Sequence, residues 1–220
     1  MYRFFVQPQI NGHDQSVYGY EVLLRKRQKD TWTLPNNFSE ISMDEQATLL
    51  EETADTLKTS LTNKVIAFNL NRDQIDNPFT IGTMVALKKR INPAALTIEL
   101  TEAPTLDEIQ KYSLLLHQYD MKLVLDDVGT GSNTYDNIKD LLPYVDQIKF
   151  AMQNLRMSGQ ANQIPEQLAF WTEIAQQYRL EMVLEGVETP QDQKLAAKYG
   201  IQINQGYLYG KPTIPHEGNS

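Results

Sequence analysis

Two kinds of apolar pattern alternate along the chain. Short runs rich in branched and aromatic residues recur as "RFFV", "YGYEVLL", "VIAFNL", "LTIEL", "KLVLDD", "VDQIKF", "MVLEGV" and, more weakly, "INQGYLYG", and their length and composition predict strands. Between them, residues 42–59, 78–90, 105–118, 136–142, 163–178 and 190–199 carry apolar residues at helical spacing. This alternation predicts an α/β protein with a mostly parallel sheet. Eight such runs and six helical segments fit a TIM-like (β/α)8 barrel with some irregular connections better than an open sheet.

The predicted helix ends agree with this parse. Ser42 precedes Glu45 in the order of a capping box, Thr189-Pro190 offers a cap followed by proline at the first helical position, and Gly200 suits a C-terminal cap. Prolines and glycines are scattered and no linker stands out, so one domain is expected over 1–220. Its core should run from about residue 4 to 212, leaving "TIPHEGNS" as a frayed tail.

Strands buried in such a barrel should be apolar, so polar residues near their ends need a reason. Asn69, Glu99, Asp126, Asp127, Lys149 and Glu185 fall at run ends, Gln205 falls just before Gly206, and Glu21 lies inside its run. In a parallel barrel these ends converge on one face. Any one of them taken alone reads more readily as a cap or a satisfied polar group. Converging carboxylates, however, repel one another unless cations hold them.

Composition narrows the cation. There are no cysteines, which excludes disulfides and thiolate metal sites. His13, His117 and His216 fall in a turn, a helix and the tail rather than at strand ends. An oxygen-rich set suits Mg²⁺ or Mn²⁺. The net charge of −8 argues against DNA or RNA duplex and anionic membrane as partners, because that binding releases counterions from basic patches. A small phosphorylated ligand held through cations stays open. No apolar run approaches the roughly 18 residues of a membrane span and no leader pattern is present, so a cytoplasmic location is expected.

Asp126 and Asp127 would point to opposite faces of a regular strand. They can share one site only where the strand ends, and Val128-Gly129-Thr130-Gly131 supplies that ending. Two cations roughly 3.5–4 Å apart need a shared ligand and flanking ones, an arrangement typical of phosphoester cleavage. As a nucleotide-binding fingerprint "GTG" is weak, lacking both the GxGxxG spacing and the lysine of a phosphate loop. Trp32 and Trp171 read as packing residues, and Lys89-Arg90 as a solvated helix end.

Taken in order, these segments resemble the EAL-domain family. "YGYEVLLR" is similar to its Glu-Ala-Leu-Leu-Arg signature with Val22 for alanine, "FNLN" to its Asn-Leu-Ser, "IELTE" to its Glu-x-x-Glu, and "LDDVGTG" to its Asp-Asp-Phe-Gly-Thr-Gly. "IKF" resembles its Lys-x-Asp, "LEGVET" its Glu-Gly-Val-Glu, "NQGYLYGKP" its Gln-Gly-Tyr ending, and "FFVQP" the Gln-Pro of its first strand. The resemblance spans Phe4 to Pro212.

It implies a TIM-like barrel with one strand antiparallel, hydrolysing cyclic di-GMP to linear pGpG with two Mg²⁺ or Mn²⁺ ions. Carried over, Glu21, Asn69, Glu99 and Asp126 would hold one metal. Asp127 and Glu185 would help hold the second, with Asp126 bridging. Lys149 would orient the attacking water, and Glu188 and Gln205 would support the site or ligand. Glu102 would anchor the loop after Asp127, while Gln7, Leu23, Arg25 and Gln205 would meet the dinucleotide. Such domains often dimerise, so a homodimer or a regulatory protein partner is expected to control activity.

Three departures accompany the resemblance. The family's Lys-x-Asp becomes Lys149-Phe150-Ala151, the phenylalanine after the aspartate pair becomes Val128, and Tyr-Ser-Ser becomes Ser132-Asn133-Thr134. Losing a supporting acid can lower metal affinity or activity roughly 10–100-fold. The alternative to an active phosphodiesterase is therefore a degenerate member that binds cyclic di-GMP or a protein partner without turnover.

Overall fold

A computed structural model describes residues 1–57, 64–91 and 95–216. Residues 58 and 59 of the first expected helix, and residues 217–220 of the tail, lie outside the described residues. The strands are β1 (Tyr2–Asn11), β2 (Val17–Gln28), β3 (Thr31–Thr33), β4 (Val65–Leu70), β5 (Ala95–Leu100), β6 (Lys122–Leu125), β7 (Gln147–Ala151), β8 (Glu181–Glu185) and β9 (Ile203–Gln205). Their order is β1-β9-β8-β7-β6-β5-β4-β2-β3, and β1 also pairs with β2. Eight strands thus close a ring with β3 outside it. β1 runs antiparallel to both neighbours, and every other pair in the ring is parallel. This is the expected barrel with one reversed strand.

The helices are α1 (Met43–Thr56), α2 (Arg72–Asp76), α3 (Thr80–Ile91), α4 (Leu106–His117), α5 (Tyr135–Ile138), α6 (Met152–Met157), α7 (Ile164–Tyr178) and α8 (Pro190–Lys198). Ser42 with Glu45 and Thr189 with Asp192 form the two expected caps, both as reciprocal capping boxes that satisfy otherwise orphaned N–H groups. Gly200 follows α8 with φ 69°, the left-handed turn that glycine accepts freely. α7 buries Ile164, Leu168, Trp171, Ile174 and Ala175 along one face, which is the helical spacing read from sequence.

Period-two alternation divides each ring strand between two environments. Phe68, Ile98, Leu100, Ile148, Phe150 and Leu184 belong to the continuous apolar core. The interleaved Asn69, Glu99, Lys149 and Glu185 turn inward, where Lys149 contacts carboxylates from across the ring. Among the described residues no helix is long and apolar enough to cross a membrane.

Several elements differ from expectation. The segment 136–142 forms only the short α5, followed by a 3-10 turn at Leu142–Tyr144 with Pro143 in its first turn. The last strand stops at Gln205, because Gly206 lies against Val187: a Cβ there would sit 2.1 Å from the Val187 carbonyl oxygen. β1 extends well beyond "RFFV", paired on both sides. Thr213 of the tail exchanges two backbone hydrogen bonds with Val6, at 2.8 and 3.0 Å, so the tail begins pinned to the barrel.

The loop after Asp127 rests on α7. Gly129 has φ 90°, and a Cβ added to it would lie 2.9 Å from Nε1 of the buried Trp171. Gly131, with φ 53°, faces open space. Gly131→Ala is therefore expected to cost about 1 kcal/mol, the backbone penalty alone, and Gly129→Ala roughly 2–3 kcal/mol once crowding against Trp171 is added. Urea unfolding midpoints measure the difference; equal losses would mean that Trp171 yields freely.

Candidate active site

The inward polar residues meet at the C-terminal ends of the parallel strands. Lys149, on β7, has no exposed side-chain surface. Its Nζ lies 2.8 Å from Glu99 Oε2 on β5 and 2.8 Å from Glu185 Oε1 at the end of β8. Asp126 Oδ1 is 3.4 Å away and Glu21 Oε2, on β2, 3.6 Å away. Asn69 Nδ2, on β4, donates to Glu21 Oε1 at 2.7 Å, and Gln205 Nε2 donates to Glu21 Oε2 and to Gln7 Oε1. Gln9, which the sequence did not single out, donates to Gln205 Oε1 at 3.0 Å. It sits two residues from Gln7 on the same face of β1.

The paired aspartates follow directly on β6. Asp126 N donates to Leu100 O at 3.0 Å and Val128 N to Lys149 O at 3.0 Å, so the backbone crosses from β5 to β7 within two residues. Asp127, between them, has φ 50°, a left-handed conformation that costs a non-glycine residue about 1–3 kcal/mol. That turn brings both carboxylates to one place: oxygens of Asp126, Asp127 and Glu185 lie within 4.8 Å of one another. The strand does end at the pair, as their adjacency required.

Asparagines fasten this segment. Asn133 is buried, and its Nδ2 donates to Asp126 O at 2.6 Å and to Thr101 O at 3.4 Å. Its backbone carbonyl accepts from Gly129 N at 2.8 Å. Asn154, on α6, donates from Nδ2 to Asp127 Oδ1 at 2.8 Å. Glu102 is exposed on the loop after β5; among the described residues, Asn133 makes the side-chain tie between that loop and the one following Asp127. Asn133 was visible in the sequence only as a departure from a motif, and Asn154 carried no signal because α6 is too short to show periodicity.

Leu23 and Arg25 lie beyond Glu21 on β2, in the wall shared by two clefts of about 730 and 560 Å³. Asn69 and Glu102 face the larger cleft; Gln7, Glu185, Glu188 and Gln205 face the smaller. Both volumes suit small organic ligands. Glu188 is half-exposed, and its backbone N donates to Asp192 Oδ2 at 3.0 Å. Asp192 is in turn fixed by Arg156 Nη2 at 2.6 Å.

One cation shared by several carboxylates sets the electrostatics. Burial works against the Lys149 charge, but Asp126, Glu185, Glu21 and Glu99 hold its pKa well above the ordinary lysine value. Glu21 would be pushed up by burial, yet Lys149 and the amides of Gln205 and Asn69 keep it low. Burial first, then neighbouring carboxylates, push Glu99 well up, Asp126 up to about 6 and Glu185 up to about 7. Asp127 is raised by burial and by Glu185. Glu99 Oε1 is buried without a hydrogen-bond partner, which is unusual for a native carboxylate. A hard cation would satisfy it, and the all-oxygen donor set is of the kind such cations select.

Fold and site together define a TIM-like α/β barrel with one reversed strand and an acidic centre at its C-terminal strand ends. The sequence matches the EAL domain over residues 2–212, and the chain belongs to that family. It is 27% identical over 232 residues to the Escherichia coli (strain K12) protein named "Probable cyclic di-GMP phosphodiesterase PdeD", covering 96% of this chain and 41% of that protein. The chain thus spans under half the length of this curated relative. Bacillus subtilis YkuI, solved in complex with c-di-GMP and calcium, superimposes with TM-score 0.79 at 18% identity over 97% of this chain and 56% of its own. Klebsiella pneumoniae BlrP1, a manganese/cy-diGMP complex, gives 0.78 at 22% identity over 96% and 56%.

The raised carboxylates make a pH prediction for the metal-free protein. Folded Asp126 and Glu185 bind protons more tightly than the unfolded chain does, so the stability they contribute is fully present below about pH 4 and lost as pH rises to about 7. In chelator, the thermal midpoint of Glu185→Gln is expected to fall less than that of wild type between about pH 5 and 7.5. Parallel curves would count against the assignment.

Proposed function

We propose that this chain hydrolyses cyclic di-GMP to linear pGpG with two divalent cations, Mg²⁺ or Mn²⁺. The observation that carries the reading is a set of five carboxylates around one ammonium: Glu21, Glu99, Asp126 and Glu185 contact Lys149, and Asp127 lies beside Asp126 and Glu185. With all of them ionised, five negative charges and one positive leave a charge of −4, which two divalent cations cancel. The orphaned Glu99 Oε1 and the adjacent aspartates supply donors for such ions. Glu21, Asn69, Glu99 and Asp126 are suited to one cation, Asp127 and Glu185 to the second, with Asp126 between them.

When bound, the cations supply Lewis-acid stabilisation of charge developing on the phosphate. The protein's own groups do the rest. Lys149, held protonated by its neighbours, donates hydrogen bonds that orient a water towards phosphorus once the carboxylates engage the cations. Arg25 and Leu23, with Gln7 and Gln205, line the clefts where the two nucleotide halves would lie, and Glu188 edges the smaller one. Control by a second copy of the chain or by a protein partner, in the cytoplasm, completes the proposal.

One observation favours a receptor without turnover. Ala151 is buried and pairs with Glu185 across β7 and β8, placing a methyl where the Lys-x-Asp pattern of the family resemblance has a carboxylate. Purified protein with cyclic di-GMP and Mn²⁺ is expected to yield pGpG, and chelator to stop it. Ala151→Asp should alter that rate by less than roughly tenfold if support for the metals survives in wild type. A silent wild type that still binds cyclic di-GMP with Ca²⁺, and that Ala151→Asp activates, would establish the receptor instead.

A further inference from the structure

We infer that Asn154 is a positioning residue for the second cation, orienting Asp127 through its side-chain amide. The inference rests on the two-cation reading above. α6 begins where β7 ends, with Ala151 as an N-cap that makes no side-chain capping bond. Three residues on, Asn154 reaches back across the site to Asp127 Oδ1 at 2.8 Å. Among the described residues it is the one side chain that hydrogen-bonds to that carboxylate.

Asp127 needs such a tether. Its backbone is left-handed and lies past the end of β6, so no strand pleat sets the direction of its side chain. The Glu185 carboxylate, with an oxygen within 4.8 Å, repels it. An ionised carboxylate has about four lone-pair positions, and a single amide donor on Oδ1 occupies one. Oδ2 stays free to meet a cation, and because the amide is neutral the full negative charge is retained. A lysine there would position the group but cancel the charge that the cation needs. A carboxylate at 151 would add charge beside Glu185, whereas the amide of Asn154 supplies orientation alone.

The test is a calorimetric titration of the full chain with Mn²⁺. Wild type is expected to bind two ions. Asn154→Leu keeps the branched shape of the side chain and removes the donor, and Asn154→Ala removes both. Each should weaken the second ion roughly 10–100-fold and leave the first unchanged. Wild-type affinity for the second ion in both variants overturns the role of Asn154, while the two-cation reading stands. A loss in the alanine variant alone also overturns it, since it would reflect a cavity. Equal weakening of both ions overturns it as general disruption. A wild type that binds a single ion overturns both the inference and the reading beneath it.

Discussion

The centre of this barrel depends on one buried ammonium shared among carboxylates from four sides. Glu21, Glu99, Asp126 and Glu185 arrive from different parts of the ring. Lys149 is the only positive group within contact of all four among the described residues. Removing one partner of a buried charge pair costs far more than the pair contributes, because the remaining charge is stranded. Ring closure, strand register and the placement of the acids are therefore coupled through a single Nζ. Its surroundings are acidic enough to keep it charged and too acidic to be satisfied by it alone. That imbalance is what suits the site to hold cations.

Around this core the site divides into a rigid part and a tethered part. Glu21, Asn69, Glu99, Lys149 and Glu185 project from paired strands whose register fixes them. Asp126 and Asp127 stand on backbone that has left the sheet, and Asn133 and Asn154 hold them by amide hydrogen bonds. Trp171 supports the same loop from below, against Gly129. Val128 and Ser132-Asn133-Thr134 fall in the tethered part, whereas Ala151 ends the paired strand β7 opposite Glu185, so divergence leaves the barrel intact while it alters what surrounds the aspartate pair.

Legibility in the sequence followed the same division. Asn69, Glu99, Lys149 and Glu185 were conspicuous because each interrupts an apolar run, and a buried strand tolerates a polar residue only for cause. The long helices α1, α3, α4 and α7 announced themselves by period, α1 also by its cap, and α8 was marked by caps at both ends. β3, α2 and α6 are three to six residues long, too short for either period to register. The bonds made by Asn133 and Asn154 span 7 and 27 residues in sequence, and nothing local to either asparagine specifies them. The extent of β1 was missed because its polar residues, Gln7 and Gln9, face the crowded interior rather than solvent.

The wall that Arg25 and Leu23 place between two unequal clefts has a consequence for how a symmetric ligand would lie across it. The larger cleft borders Asn69 and the smaller borders Glu185 and Gln205, so the two halves of anything lying across the wall meet different surroundings. Cyclic di-GMP is two-fold symmetric, and under the proposed reading that symmetry is lost on binding. Of two chemically identical phosphodiester bonds, one would face the acidic centre and the other would not. The ring would be opened once per visit, and a second cut would require the linear product to leave and return in the opposite sense.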